Sequence, residues 1–138
     1  MFTNVKPELS VKNKYRINKH RYYELRYFCL QYPEWKRKYN ELSDISISSL
    51  SQINYDRYEY SDPTGIKAIT KACYANRINI VELAARESDE ELGCYILKGV
   101  TEGLSYTQLK TRFDIPCSKD TYYDRYRRFF WILSKYKE

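Results

Sequence analysis

Apolar residues recur at helical spacing along this chain. The first set, spaced i, i+3, i+7 and i+10, consists of Tyr22, Leu25, Cys29 and Tyr32. This spacing places the four side chains on one face and predicts a helix over residues 18–31. Pro33 is expected to open a second helix, because proline is tolerated at the first helical position. The stripe of that helix comprises Trp35, Tyr39 and Leu42.

Two further helices are predicted in the middle of the chain. Asp62 and Pro63 suit an N-cap and a first helical position, and the helix they start should reach about Arg86. Its expected inward positions are Ile66, Ile69, Cys73, Ile80 and Leu83. Ser88 and Glu91 have the spacing of a capping box for the next helix, which should end near Gly99 or Gly103. With no convincing strand alternation, the predicted fold class is all-α, a helical bundle.

Residues 105–136 predict two helices joined by a short turn. A capping box at Ser105 starts the first, Pro116 breaks the chain, and Ser118 can cap a final helix that runs to about Tyr136. A helix, a turn that holds a hydrophobic residue, and a second helix are typical of a helix-turn-helix. The packing stripe expected for the final helix is Tyr122, Tyr126, Phe129 and Leu133.

These elements divide the chain into three parts. Residues 1–42 form an N-terminal basic helical segment, and residues 62–138 form a helical core that ends in the helix-turn-helix. Between them, residues 43–61 are rich in serine and lack a clear period, so this stretch is the predicted linker.

Composition places the chain among globular proteins and gives it a basic balance. Hydrophobic residues make up 43%, which is too apolar for wholesale disorder, and 24 Lys+Arg against 18 Asp+Glu give a net charge of +6. No apolar run approaches the roughly 18 residues of a membrane span, and the N-terminus lacks the apolar core of a secretory signal. The expected location is therefore the cytoplasm, with no membrane partner.

Cysteine and histidine usage argues against a metal site and against catalysis. The four cysteines form no CxxC pair, and His20 is the single histidine. Each cysteine lies in an apolar helical pattern and is interpreted as a small, buried, reduced side chain, although an even number leaves a disulfide framework open. The chain also lacks a nucleophile elbow, a glycine-rich phosphate loop and an HExxH motif. We therefore expect no enzyme, no metal and no cofactor.

The basic side chains of the C-terminal unit suit double-stranded DNA. The first turns of the second helix enter the major groove in a helix-turn-helix, which predicts base contacts from Lys119, Tyr123 and Arg127. The predicted phosphate contacts are Lys110, Arg112, Arg125 and Arg128. The alternative is a plain helical hairpin whose basic face is merely solvated. The tyrosine-rich basic stretch before Tyr32 leaves the same choice open, between nucleic acid and an ordinary amphipathic helix.

Phe130 and Trp131 fall in a part of the final helix that is apolar on every side. Trp131 points about opposite the packing stripe, and an exposed tryptophan is uncommon without a partner surface. These two residues are therefore a candidate surface for a homo-oligomer or another partner. Packing of Trp131 on the N-terminal helices is the equal alternative.

Three motifs resemble a known family. They are YELRYFCLQYPEWKRKY from Tyr23 to Tyr39, SDPT from Ser61 to Thr64, and the closing IPCSKDTYYDRYRRFFWILSK. Together with GLSYTQL before the turn, they are similar to the RinA/ArpU-type late-gene transcription regulators of phages and prophages. The C-terminal part of that family resembles a sigma-70 region 4 helix-turn-helix. The family pattern has a small aliphatic residue at the inward position that Tyr122 occupies here.

The resemblance implies sequence-specific DNA binding and regulation of phage or prophage late genes, with host RNA polymerase as a further partner. Two other functions fit the same residues. One is a small DNA-recognition subunit of a packaging machine, similar to a terminase subunit, which would assemble as a ring. The other is an adaptor that binds no DNA and docks on RNA polymerase through its Tyr/Trp-rich surface, because interface hot spots use these residue types.

Overall fold

A computed structural model describes residues 14–49 and 63–137. Helices are the only regular elements in these two stretches, which confirms the predicted all-α class. The helices are α1 (Lys19–Leu30), α2 (Tyr32–Ser49), α3 (Pro63–Ser88), α4 (Gly93–Glu102), α5 (Tyr106–Phe113) and α6 (Lys119–Tyr136). None of them is long and apolar enough to cross a bilayer.

The first helix begins and packs as its sequence predicts. The side chain of Asn18 accepts a hydrogen bond from the His20 backbone N–H at 2.8 Å, as an N-cap does. Tyr22, Leu25 and Cys29 are fully buried on one face. The predicted apolar stripe of α1 is therefore confirmed.

Helix α2 is longer than predicted and continues to Ser49, past the expected boundary at Leu42. The hydroxyl of Ser43 donates to the Tyr39 carbonyl at 3.0 Å, so this serine satisfies its polar group within the helix. The first residues of the predicted linker are thus helical. The remainder of that linker, residues 50–61, and the predicted N-cap Asp62 lie outside the described residues.

The N-terminal helices and the C-terminal helices share one core. Helix α1 packs on α4 and α6, while α2 packs on α3. At the centre, the hydroxyls of Tyr22 and Tyr126 are hydrogen-bonded at 2.7 Å, and the rings of Tyr22 and Phe130 meet edge to face. The first segment is therefore an integral part of the bundle and helps to position α6.

Helix α3 buries only part of the face predicted for it, since Ile80 packs against the core but the first half of the stripe is exposed. Its fully or almost fully buried side chains are Ile78, Val81, Ala84 and Ala85. Ile66 and Ile69 are 59% and 67% exposed, and Cys73 is exposed as well. The N-terminal half of α3 meets α2 through another face, where Lys71 lies over the ring of Tyr39. The expected inward stripe is therefore wrong for this half of the helix.

The corner between α3 and α4 is held by Asp89 instead of the predicted Ser88 capping box. The carboxylate of Asp89 accepts hydrogen bonds from the backbone N–H groups of Glu91 and Leu92, both at 2.8 Å. The Ser88 hydroxyl points back and donates to the Ala85 carbonyl. The predicted end of α4 is confirmed, because Gly103 follows the helix with a left-handed φ of 69°.

The four cysteines are free thiols in different surroundings. Cys29 is buried and Cys117 is half-buried, but Cys73 and Cys94 are exposed, so the prediction that all four are buried is wrong for these two. Burial raises the pKa of the Cys29 thiol well above its ordinary value, since the charged thiolate is not solvated there.

Candidate nucleic-acid interface

Local capping fixes both ends of the connection between α5 and α6. The side chains of Ser105 and Gln108 form the predicted capping box at the start of α5. Asp114 closes that helix with a left-handed φ of 50°, a conformation that aspartate tolerates better than most residues. Ser118 accepts a hydrogen bond from the backbone of Thr121 and caps α6 as predicted. The helix bounds derived from the sequence are therefore confirmed here.

Side chains of α5 hold the turn that leads to α6. Ile115 in the turn is fully buried, as is Leu109 on α5. The hydroxyl of Tyr106 donates to the Cys117 carbonyl at 2.6 Å, and the Lys110 ammonium donates to the Ile115 carbonyl at 3.2 Å. These contacts set the direction in which α6 leaves the turn.

The predicted packing stripe of α6 is buried against the rest of the bundle. Tyr122 packs so closely on α4 that a Cβ at Gly99 would overlap its hydroxyl. That hydroxyl is buried and has no hydrogen-bond partner among the described residues. Burial therefore raises the pKa of Tyr122 well above its usual range.

Tyr123 does not fit the base contact predicted for it. Its side chain is only 7% exposed, and its hydroxyl accepts a hydrogen bond from the Tyr106 backbone N–H at 3.2 Å. The buried arc of α6 is wider than the four-residue stripe and takes in Tyr123 on one side. The phenol thus fastens α6 to the start of α5 and does not face solvent.

Lys119 and Arg127, the other two predicted base contacts, retain access to solvent. Lys119 is exposed at the first position of α6, and Arg127 is half-buried two turns later. Neither has an ion-pair partner within residues 14–49 and 63–137. The same turns also present the carboxylates of Asp120 and Asp124, so the start of α6 carries both signs of charge.

Two of the four predicted phosphate contacts are engaged inside the molecule. Lys110 pairs with Asp114 at 3.2 Å, and the Arg125 Nε lies 3.1 Å from a carboxylate oxygen of Asp89. Arg125 therefore ties α6 to the α3–α4 corner, which does not fit a contact with phosphate. Sequence spacing could not reveal that pair, because the two residues meet only through the fold.

Arg112 and Arg128, the remaining two, have no ion-pair partner in the described part of the chain. Arg112 is exposed on α5. Arg128 lines an open groove of about 600 Å³ between α6 and the end of α3, together with Trp131 and Lys135. Lys135 escaped the sequence analysis, although its spacing of i+4 from Trp131 and i+7 from Arg128 on one helix was a usable signal.

The prediction that Phe130 belongs to a partner surface is wrong. It is fully buried, and its ring centroid lies 5.1 Å from that of Tyr22 and 4.9 Å from that of Tyr126. Trp131 is half-buried within its own chain. Its ring centroid lies 5.5 Å from the ring centroid of Tyr15 and 3.4 Å from the Lys135 ammonium nitrogen. Within its own chain Trp131 thus packs on Tyr15, which lies just before α1.

In comparisons with known proteins, no family model, no curated protein and no solved structure matches the chain.

Proposed function

We propose that this protein binds double-stranded DNA through α5 and α6, with the first turns of α6 in the major groove. One observation carries the proposal. The buried Ile115 and the hydrogen bonds of Tyr106 fix the α5–α6 unit, and that unit presents Lys119, Arg127 and Arg112 without ion-pair partners in the described residues. A rigid unit with uncompensated cations can face phosphates and base edges without first breaking internal contacts.

The mixed charge at the start of α6 favours base reading over simple attraction to the backbone. Lys119 and Arg127 can donate to the O6 and N7 acceptors of guanine. Asp120 repels phosphates, but its carboxylate can accept from the amino group of cytosine. The first turns of α6 thus carry two donor side chains and an acceptor, which suits discrimination between bases.

The biological role in this proposal is sequence-specific regulation of phage or prophage genes in the cytoplasm of a bacterial host. The resemblance of the chain to RinA/ArpU-type late-gene regulators supports it, and host RNA polymerase is the accompanying protein partner. A packaging subunit would use the same DNA contacts. An adaptor that docks through Phe130 and Trp131 has less support, since Phe130 is buried and Trp131 is packed within its own chain.

Replacement of Lys119 and Arg127 together by alanine is expected to weaken DNA binding at least tenfold, since each base contact is worth about 1–3 kcal/mol. Fluorescence anisotropy with a labelled mixed-sequence duplex, repeated over a salt series, measures the loss. Selection from a pool of randomised duplexes then compares sequence preference, which the double variant should lose.

A control variant for this experiment lies on α2. Lys36→Ala/Arg37→Ala also removes two exposed positive charges, but from a helix whose main contact is α3. We expect it to bind nearly as well as the native protein. Equal weakening in both double variants would mean that binding depends on net charge alone and not on α6. Absence of binding by the folded native protein at low salt would refute the proposal.

Arg112→Ala is expected to act differently, because this residue is assigned to the backbone of the duplex. Affinity should fall for every sequence alike, and the slope of log K against log salt should decrease by about 1. The same anisotropy series measures both quantities. A change in sequence preference on this substitution would contradict the assignment.

A further inference from the structure

Two stretches of the chain that carry basic but no acidic residues meet at the second half of α6. Residues 14–23 hold four Lys and Arg, residues 125–137 hold five, and neither stretch contains aspartate or glutamate. The guanidinium of Arg21 donates to the hydroxyl and to the carbonyl of Ser134, at 3.2 and 3.0 Å. The fold therefore brings together positive charge from two distant parts of the sequence.

A pair of aromatic rings joins the two stretches, and each ring carries a lysine. The ring centroids of Tyr15 and Trp131 lie 5.5 Å apart. The Lys14 ammonium is 5.0 Å from the centroid of Tyr15, and the Lys135 ammonium is 3.4 Å from that of Trp131. Attraction between a cation and the face of a ring restrains both lysines. We call these four residues the lysine–aromatic cluster.

The charge of this cluster is not compensated by the described residues. Neither of its lysines has an ion-pair partner within residues 14–49 and 63–137, and Arg128, seven residues before Lys135, has none either. Neighbouring carboxylates are engaged inside the molecule: Glu24 by Arg21, Asp124 by Arg125, and Glu87 by the Tyr136 hydroxyl. Asp120 lies about 22 Å from Lys135 along the axis of α6.

The cluster suits a phosphate backbone better than unstacked bases. Single-stranded nucleic acids are bound by aromatic rings that are free to stack on bases. Here Tyr15 is only 9% exposed, and the ring of Trp131 is covered by Tyr15 and Lys135. The rings therefore position the cations, and the cations are the groups left to contact a ligand. The repeated anions of a duplex backbone match them.

The length of α6 brings the cluster to the duplex that its first turns are proposed to contact. With 18 residues the helix is about 27 Å long, whereas the major groove is about 12 Å wide. Arg127, Arg128 and Lys135 fall within an arc of about 100° around the helix axis, with Trp131 between them. The second half of α6 can therefore face the strand that borders the groove.

We propose that Lys14 and Lys135 bind the phosphate backbone of the duplex, beside the base pairs that the first turns of α6 contact. This inference rests on the proposed binding of DNA by α5 and α6. It extends the interface beyond the helix-turn-helix and makes residues 14–23 part of it. The basic N-terminal stretch then has two roles, since Arg21 fastens it to α6 and Lys14 contacts the DNA.

The salt dependence of binding tests the two lysines. Lys14→Gln/Lys135→Gln should decrease the slope of log K against log salt by about 2, because each phosphate contact contributes about 0.9. Affinity at moderate salt should fall at least about tenfold, and the sequences selected from a randomised pool should stay the same. Both lysines are exposed, so the fold should persist, and circular dichroism checks it.

A matched control removes two lysines that are already paired. On α2, Lys36 lies 3.8 Å from a Glu82 oxygen and Lys38 lies 3.4 Å from a Glu34 oxygen. Lys36→Gln/Lys38→Gln should leave the affinity and the salt slope nearly unchanged. Equal losses in the two lysine variants would overturn the inference, because net charge alone would explain them.

Failure of this inference is distinguishable from failure of the proposed function. If the native chain binds DNA and Lys119→Ala/Arg127→Ala weakens it, but the cluster variant retains native affinity and slope, the inference is overturned. The cluster would then be open to an acidic protein segment instead. If the folded native chain binds no DNA, both proposals fail together.

Directed cleavage tests where the cluster lies on the duplex. The three cysteines with access to solvent, Cys73, Cys94 and Cys117, are changed to serine, and Lys135→Cys is labelled with an iron chelate that generates hydroxyl radicals. At low salt, a duplex selected from the randomised pool should be cut beside the base pairs that selection fixes. Cleavage within those base pairs, or none by the bound protein, would overturn the assignment.

Discussion

Above pH 10 the free energy of unfolding is expected to fall by about 4 kcal/mol per pH unit, because three buried acids resist ionisation in the folded chain. Burial raises the pKa of the Cys29 thiol and of the Tyr122 phenol, and burial together with the neighbouring Glu82 raises the pKa of the Tyr32 phenol. In the unfolded chain these groups lose their protons near pH 8.5 and 10, at about their ordinary pKa values. Stability is therefore fully present below those values and is lost as the pH rises. Urea denaturation between about pH 8 and about pH 11 measures this dependence.

The Tyr122→Phe variant isolates one of these contributions. It removes one of the three titrating groups and should reduce the slope above pH 10 by about 1.4 kcal/mol per pH unit. At neutral pH the variant should be at least as stable as the native chain, because the lost hydroxyl is buried without a partner among the described residues. An unchanged slope would mean that Tyr122 ionises freely in the folded protein.

Phe130→Ala is expected to cost about 3–5 kcal/mol of stability, the usual loss when a buried phenylalanine is truncated. The ring lies among Tyr22, Tyr126 and Phe129, where its removal leaves a cavity between α1 and α6. Thermal or urea unfolding followed by circular dichroism measures the loss.

The neighbouring Trp131→Ala is the comparison for that experiment. This side chain is half-buried and contacts Tyr15 and Lys135, so its truncation should cost about 1–2 kcal/mol. A larger loss from Trp131 than from Phe130 would contradict the packing of α6 described above.

Helix ends in the second half of the chain were predictable because they depend on a few adjacent residues. The Ser105 capping box, the Ser118 cap and the glycine after α4 are each decided within about four positions. At the corner between α3 and α4, adjacent residues alone do not decide which side chain bonds the backbone. Ser88 and Asp89 can both accept hydrogen bonds from the backbone N–H groups that follow them, and only the fold decides that Asp89 does so.

Burial could not be predicted as well, since it depends on where neighbouring helices lie. The width of the buried arc of α6, which takes in Tyr123 and Phe130, follows from α1, α3, α4 and α5 packing on it. For α3 the periodicity correctly identified apolar positions, but the same spacing can occur on a buried face and on an exposed one. A period alone does not tell which side of a helix is covered.

The candidate site was predictable in its helices and only partly in its side chains. Lys119 and Arg112 lie in solvent as a basic pattern suggests. Arg125 forms an ion pair with Asp89, which is distant in sequence, and no pattern of neighbouring residues indicates this pair. Side chains that act alone are therefore easier to identify from sequence than those that the fold pairs.

The Lys110 ammonium can either stabilise the turn or bind an external anion, and the two interactions compete. Its ammonium holds the Ile115 carbonyl and the Asp114 carboxylate, both within the turn. An anion that draws this cation away must offset the loss of both internal contacts. By reciprocity, the free energy that keeps Lys110 in the turn is subtracted from its affinity for that anion. In the proposed complex with DNA, the position of α6 is thus stabilised at the expense of one ionic contact with a phosphate.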